Sequence, residues 1–126
     1  MIDDLKINDE LKGRWYAEGY WTPDTIADIW QRAAVAHPDA QYVCEDTASR
    51  LTYAEVYDKC GRIAAWLIAK GVGPGDVVTL QFPTWAEFCI AYVAVLKVGG
   101  VVHPVPRNYN DVDLEYAMNL VGTRAF

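Results

Sequence analysis

The sequence is poor in the residues that build metal sites and disulfide frameworks. Among 126 residues it has three cysteines and two histidines, and no Cys-x-x-Cys pair occurs. An odd number of cysteines excludes a fully paired disulfide framework, and two histidines cannot form a zinc site unaided. Cys60 and Cys89 stand among apolar residues and are predicted to be buried thiols. Because no signal-peptide pattern is present, we expect a cytoplasmic protein.

Long apolar runs and basic clusters are also lacking. The most apolar stretch, 88–98, is bracketed by Glu87 and Lys97 and is shorter than the ~20 residues that span a bilayer. It predicts a buried helix instead. The net charge is −6, and no Lys/Arg stripe is present. The sequence therefore predicts neither a membrane span nor a nucleic-acid partner.

A phosphate-binding glycine loop is absent as well. The glycines of 71–75 follow a predicted helix and precede a predicted strand, whereas phosphate loops lead from a strand into a helix. They predict a helix end and a tight turn. His37 is predicted at an exposed helix end, and His103 as a hydrogen-bonded histidine within a strand.

Four helices are predicted from their starts and stops. Thr22 followed by Pro23 is typical of an N-cap, and the helix it opens ends at His37-Pro38. The other starts are two capping-box patterns, at Thr52 to Glu55 and at Thr84 to Glu87, and Asn110 as an N-cap. Their predicted ends are Lys70-Gly71, Gly99-Gly100 and Gly122.

The strands predict an α/β fold. Segments 41–45 and 50–52 favour a hairpin around a turn at 46–49, and 76–82, 101–105 and 123–126 favour buried strands. Strands that alternate with helices predict a mostly parallel sheet with helices on both faces. We expect residues 1–20 to form a leader or arm on the surface. Residues 21–126 are expected to form an incomplete domain, because the last strand has only begun.

The loop Arg107, Asn108 and Tyr109 is the best candidate for a binding site. It follows a predicted strand, and parallel α/β sheets bind ligands at the carboxyl ends of their strands. The alternative is a solvated connection that caps the next helix. Asp111, Asp113 and Glu115 could be read as metal ligands, but alternate residues on a helix do not share a face. A negative first helical turn explains them better, so no metal ligand is predicted.

Several segments resemble one large family. Leu-Thr-Tyr-Ala-Glu-Val at 51–56 is similar to its early Leu-Thr/Ser-Tyr-x-Glu-Leu motif, and Leu-Lys-Val-Gly-Gly-Val-Val-His-Pro at 96–104 to its Leu-Lys-Ala-Gly-Gly/Ala-x-x-x-Pro motif. Segment 71–76 matches its Gly-x-x-x-Gly-Asp turn, and 81–88 looks like short- and medium-chain or alicyclic acyl-CoA ligases and dihydroxybenzoate-type ligases. The family comprises AMP-forming acyl-CoA synthetases, aryl acid ligases and nonribosomal-peptide adenylation domains. The resemblance covers nearly all of 20–126.

The resemblance implies an AMP-forming ligase. In that family a carboxylate attacks the α-phosphate of ATP, and coenzyme A then takes the acyl group from acyl-AMP. The phosphate loop, adenine-binding segment, ribose-binding Asp and catalytic Lys of the family have no counterpart here. No catalytic residue is therefore assigned, and ATP, Mg²⁺ and coenzyme A are implied only for a full-length enzyme. The loop of Arg107, Asn108 and Tyr109 would face the coenzyme A nucleotide, with Arg107 as a phosphate partner.

Two hypotheses follow. In the first, the chain is the inactive N-terminal part of a carboxylate–CoA ligase whose partners are the remainder of that chain and a small carboxylic acid. In the second, it is a stand-alone, non-catalytic module that docks through exposed aromatic residues. A Rossmann-type nucleotide domain is a weaker third reading, given the position of the glycines. An uncovered partial domain should expose apolar surface and self-associate.

Overall fold

The computed structural model of the chain describes residues 8–44 and 50–126. The predicted turn at 46–49 lies outside these residues. Five helices and five strands are described, in the order α1 (Asp9–Ala17), α2 (Ile26–Ala36), β1 (Gln41–Cys44), β2 (Arg50–Thr52), α3 (Tyr53–Ala69), β3 (Val77–Leu80), α4 (Ala86–Lys97), β4 (Val101–Pro104), α5 (Asp111–Val121) and β5 (Thr123–Ala125). No helix in this part of the chain is long and apolar enough to cross a membrane.

The strands form two sheets. β1 and β2 pair antiparallel, as the predicted hairpin requires. β3 lies between β4 and β5 and pairs with both in parallel. Parallel strands need a crossover connection, so α4 connects β3 to its neighbour β4, and α5 connects β4 to β5 on the other side of β3. The predicted parallel α/β architecture is confirmed.

Helices lie on both faces of the parallel sheet. Val78 and Leu80 of β3 pack in one apolar cluster with residues of α3 and α4. Thr79 is hydrogen-bonded to His103 of β4, and His103 borders a cleft whose other wall is α5. Successive strand residues alternate between faces, which places α3 and α4 on one side and α5 on the other.

α4 is buried on most sides because a second apolar cluster joins it to α3. This cluster contains Val56, Cys60, Ile90, Val93 and Ala94. The Cys60 thiol donates to the Ile90 carbonyl oxygen at 3.3 Å, and burial raises its pKa to about 11. The prediction of a buried thiol is confirmed for Cys60, whereas Cys89 is only half-buried.

Two of the four predicted helix starts are correct in detail. The Thr52–Glu55 capping box forms, with Thr52 N–H donating to Glu55 Oε2 at 2.9 Å and Glu55 N–H donating to Thr52 Oγ1 at 3.3 Å. Asn110 caps α5 by accepting from the amides of Val112 and Asp113. The predicted end at Gly122 is confirmed, since Gly122 has the left-handed φ of +67°.

The other two starts are wrong in detail. α2 is capped by Thr25 and not by Thr22, because Asp28 completes a capping box with Thr25. Thr22 instead accepts from the Asp24 amide two residues on. The predicted box opened by Thr84 does not form, since the N-cap of α4 is Trp85 and has no side-chain hydrogen bond.

The first described helix, α1, was not expected within the predicted leader. Its cap is Asn8, whose Oδ1 accepts from the amides of Glu10 and Leu11. An ion pair of 2.8 Å between Arg14 and Glu18 lies at its other end. No residue of α1 is buried, so its cap, its ion pair and the contacts of Trp15 and Tyr16 with Trp21 stabilise the helix. The boundary between leader and domain at residue 20 stays a prediction.

The glycine-rich segment forms the predicted helix end and turn. Gly71 ends α3 with a φ of +80°, and Gly75 has a φ of +83°, conformations that favour glycine. The Gly73 amide donates to the Asp76 carboxylate at 2.9 Å. His37 is the exposed C-cap of α2, as predicted.

Candidate binding site at the carboxyl edge of the sheet

The candidate site is the β4–α5 loop, residues 105–110, at the carboxyl ends of β3 and β4. Val105 continues the pairing beyond β4, because its amide donates to the Leu80 carbonyl oxygen at 3.0 Å, and its side chain is buried. Residues 106–110 are all exposed. The loop therefore begins at a fixed point and then extends into solvent.

Gln81, the residue that follows β3, contacts the backbone of this loop. Its Nε2 lies 3.2 Å from the carbonyl oxygen of Pro106, 3.3 Å from that of Tyr109 and 3.5 Å from that of Arg107. The Tyr109 amide also donates to the Pro106 carbonyl oxygen at 3.1 Å, which closes a turn. One half-buried side chain thus contacts three carbonyls of the candidate loop.

Arg107 borders a cleft between the loops that follow β3 and β4. The cleft has a volume of about 370 Å³ and is lined by Phe82, Pro83, Thr84, Phe88, Pro104, Val105, Pro106 and Arg107. Within residues 8–44 and 50–126, no carboxylate forms an ion pair with Arg107. Arg107 is thus an exposed cation beside a mainly apolar cleft, which suits an anionic group attached to a flat or apolar body.

Tyr109 borders a different cleft. This second cleft, of about 390 Å³, is lined by His103, Tyr109, Asp113, Tyr116, Ala117, Leu120 and Val121. Asn108 lines neither cleft. The three residues predicted to share a site are contiguous in one exposed loop, but the structure assigns Arg107 and Tyr109 to two separate clefts.

A chain of polar side chains crosses all three parallel strands. Thr79 Oγ1 lies 3.0 Å from Nδ1 of His103 and 2.6 Å from Oγ1 of Thr123. Thr79 is the one buried polar residue in the described part of the chain, with 1% of its surface exposed. His103 is therefore hydrogen-bonded, as predicted.

The acidic start of α5 has a structural explanation. Asp111 and Asp113 lie in its first turn, where the helix dipole favours negative charge. Asp113 Oδ2 also accepts from the Asn110 side chain at 2.9 Å. Across the described residues, no group of three His, Cys, Asp or Glu side chains is arranged to hold a metal ion.

A mainly apolar cleft lies on the α3–α4 face beside β5. It has a volume of about 340 Å³ and is lined by Ile63, Trp66, Leu67, Val78, Thr79, Leu80, Gln81, Phe82, Ala91, Val95, Ala125 and Phe126. Trp66 and Phe126 at its rim are 57% and 66% exposed. Two large, exposed aromatic side chains therefore border this apolar surface. We call this surface the β5 cleft.

Comparison with known proteins identifies the fold family. Residues 30–126 match the model of the AMP-binding enzyme family. The chain belongs to this family. The medium-chain fatty-acid–CoA ligase of Escherichia coli strain K12 is 30% identical over 122 residues, which are 97% of this chain and 22% of the relative. The chain thus spans about a fifth of the length of that enzyme.

Two solved structures agree with this assignment. Apo MbtA of Mycobacterium smegmatis is 28% identical and superposes with a TM-score of 0.83 over 93% of this chain and 22% of that chain. The N-terminal subdomain of NpsA from Klebsiella oxytoca, in complex with 3-hydroxybenzoyl-AMSN, is 26% identical with a TM-score of 0.73, over 79% of this chain and 25% of that chain. The expected fold, part of the N-terminal subdomain of an adenylate-forming enzyme, is confirmed.

Gln81 and Thr79 are the polar residues that sequence reasoning missed. Gln81 had a recognisable signal, because it is the first polar residue after a buried strand and therefore lies at the same sheet edge as the loop after β4. Thr79 had none, since threonine is common in strands and its partners lie 24 and 44 residues away.

Proposed function

We propose that this chain is the N-terminal part of an AMP-forming carboxylate–CoA ligase and is catalytically incompetent alone. The family match over residues 30–126 carries the proposal, and the likeness to a fatty-acid–CoA ligase over 97% of the chain supports the acyl acceptor. The proposed reaction joins a small carboxylic acid to the α-phosphate of ATP with release of pyrophosphate. The acyl group then passes to the thiol of coenzyme A.

The residues present suit only part of this chemistry. The loop of Arg107, Asn108 and Tyr109 is exposed at the carboxyl edge, and a guanidinium offers several N–H donors to a phosphate. Such a loop fits the nucleotide phosphates of coenzyme A, with Arg107 as the anion partner. No described residue is assigned to ATP or Mg²⁺. We place that chemistry in the remainder of the ligase, acting in the cytoplasm.

The β5 cleft supports the proposal that the remainder of the ligase packs on this chain. Apolar side chains from α3, β3, α4 and β5 line it, and burial of such surface favours association by about 25 cal/mol per Å². The aligned region is only 22% of the relative's length. A full-length ligase of that size would therefore contain a segment long enough to cover the cleft.

The likeness to NpsA favours a second candidate within the family. That structure holds 3-hydroxybenzoyl-AMSN, so an aryl acid could replace the aliphatic one. The exposed aromatic rim of the β5 cleft is also consistent with the alternative hypothesis, a stand-alone module that binds a partner there. These alternatives differ in whether any carboxylate is activated, and which one.

Carboxylate-dependent ATP–pyrophosphate exchange distinguishes the candidates. The full-length ligase should exchange with aliphatic acids of medium length and form acyl-CoA, whereas the 126-residue chain should show no exchange. Preference for benzoates would move the assignment to the aryl ligases. Clear exchange by the chain alone, or none by the full-length protein with either acid class, would refute the proposal.

Arg107→Gln tests the coenzyme A loop in the full-length ligase. We expect KM for coenzyme A to rise about 10- to 100-fold, because one charged hydrogen bond is worth about 1.5–3 kcal/mol, while pyrophosphate exchange stays unchanged. Arg62→Gln is the matched control, since Arg62 is an exposed arginine paired with Asp58 on α3. An equal effect of the two substitutions would remove Arg107 from the site.

A further inference from the structure

We propose that Gln81 is a positioning residue that sets the conformation of the β4–α5 loop and thereby the place of Arg107. The inference rests on the proposed function only for what the loop binds. Its geometric basis is the convergence of three carbonyl oxygens, those of Pro106, Arg107 and Tyr109, on Nε2 of Gln81 within 3.2–3.5 Å.

The donor count shows why this side chain has the right chemistry. A glutamine amide nitrogen carries two N–H donors, which matches the two nearer carbonyls, those of Pro106 and Tyr109, while the Arg107 carbonyl lies at 3.5 Å. The nearest contacts join the two ends of the 106–109 turn, Pro106 and Tyr109. Bridging both ends of a turn fixes its width, which a single hydrogen bond would not.

We call the contact of Gln81 with these three carbonyls the clamp. The position of Gln81 in the sheet makes the clamp rigid. Gln81 follows Leu80 directly, and Leu80 is buried and paired with the strand that leads into the loop. Val105 N–H also donates to Leu80. The clamp is thus built on the central strand, and the loop it holds lies on the neighbouring one.

The clamp also changes the electrostatics of the loop. Carbonyl oxygens carry partial negative charge, and the three that converge on Gln81 belong to the loop that carries Arg107. The Gln81 N–H groups offset that charge. A side chain of similar length without donors, as in Gln81→Met, should both loosen the loop and leave these oxygens uncompensated.

Amide hydrogen exchange of the 126-residue chain tests the positioning role. Gln81→Met should raise the exchange rate of the Tyr109 amide, which closes the turn on the Pro106 carbonyl oxygen, about 10-fold, because local opening becomes easier, while amides of α3 keep their protection. Gln81→Lys, which restores N–H donors, should return the loop rates towards wild type. Unchanged loop rates in Gln81→Met would overturn the proposal.

If Gln81→Met also loses protection in α3, its fold is disturbed, and Gln81→Lys then tests the positioning role. Gln81→Lys with a protected α3 and a wild-type loop would support the clamp, whereas a protected α3 with a fast-exchanging loop would overturn it. A Lys variant that also unfolds would show that Gln81 serves overall stability and would overturn it too.

The consequence for binding is measured separately in the full-length ligase. Gln81→Met should raise KM for coenzyme A with kcat and pyrophosphate exchange unchanged, and Gln81→Lys should restore KM. A looser loop without a change in KM would leave Gln81 as the clamp and refute the coenzyme A assignment. The two failures are therefore distinguishable.

Discussion

The hydroxyl group of Thr79 lies 2.6 Å from the hydroxyl group of Thr123. Thr79 is on the central strand and Thr123 on its neighbour β5, and the same Thr79 oxygen lies 3.0 Å from Nδ1 of His103 on β4. One buried hydroxyl group therefore joins all three strands of the parallel sheet. β5 is only three residues long and its register with β3 is irregular, so this contact adds a side-chain tie where backbone pairing is short.

Thr79→Val should destabilise the chain by about 1–3 kcal/mol. Valine keeps the shape of threonine but leaves the polar groups of His103 and Thr123 without their buried partner, and unsatisfied groups cost roughly this much. The free energy of unfolding from urea denaturation measures the effect. Thr84→Val, at an exposed position, is the control and should change stability little. Equal stabilities of the two variants would contradict the role of Thr79.

Gly100→Ala should also destabilise the fold, by about 1–3 kcal/mol. A Cβ atom on Gly100 would lie 3.0 Å from Val95 Cγ1 and 3.2 Å from the carbonyl oxygen of Asp76, which is tighter than most packed Cβ contacts, so side chain and backbone would have to move apart. Gly61→Ala is the control, because its nearest neighbour is the flexible Lys97 Nζ at 3.8 Å. That variant should be neutral or gain up to ~1 kcal/mol in helix propensity. Urea denaturation of both variants gives the comparison.

The two predicted capping boxes make a matched pair. Thr52→Ala should cost about 1 kcal/mol, because it removes the hydrogen bond from the Glu55 amide at the start of α3. Thr84→Ala should cost almost nothing, since Thr84 caps no helix. Thermal unfolding followed by circular dichroism measures both. A loss of stability in Thr84→Ala as large as that in Thr52→Ala would show that Thr84 does cap α4.

These pairs show where local sequence determines structure and where it does not. Thr52 and Thr84 are followed by glutamate at the same spacing, yet only Thr52 caps. α4 is held on most sides by buried residues, so tertiary packing sets its start at Ala86. At α2, Thr25 with Asp28 outcompetes Thr22 because both halves of a box are satisfied there. An aspartate completes that box, whereas the usual capping-box pattern has glutamate or glutamine at this position.

The candidate site divides in the same way. The place of Arg107 at the carboxyl edge was predicted from sequence, because the order of elements determines which loops lie there. The separation of Arg107 from Tyr109 was not found, since adjacent clefts depend on how α5 packs beside His103. Gln81 was missed because the predicted strand, 76–82, contained it, whereas β3 ends at Leu80 and leaves Gln81 at the sheet edge beside three loop carbonyls.

Stability should fall between about pH 9 and pH 11 in a way that depends on Cys60. Burial raises the pKa of this thiol from 9.0 to about 11, so the folded protein retains a proton that the unfolded chain releases. The stability contributed by the neutral thiol is present below pH 9 and is lost as pH rises through the folded pKa. Cys60→Ala should flatten the decline in unfolding free energy over this window, as measured by urea denaturation at several pH values.

Thiol labelling gives an independent check on Cys60. Because the thiolate is the reactive form, the Cys60 thiol should react with iodoacetamide much more slowly than a cysteine in a small peptide at pH 8. Peptide mass spectrometry reads the modification at each cysteine separately. Fast labelling of Cys60 in folded protein, or a pH profile that Cys60→Ala leaves unaltered, would contradict its buried environment.

The isolated chain should self-associate through the β5 cleft, because Trp66 and Phe126 remain exposed at its rim when nothing else covers it. Sedimentation velocity over a concentration series should show dimers or larger species. Trp66→Glu should shift the chain towards monomer, since a charge at the rim would lose its hydration on association. Val112→Glu is the matched control, at a position 75% exposed on α5 and away from the cleft, and it should leave association unchanged.

A wild-type chain that stays monomeric at high concentration would show that the cleft does not bind a second copy. Association that Trp66→Glu and Val112→Glu reduce equally would place the contact elsewhere, because charge alone would then explain it.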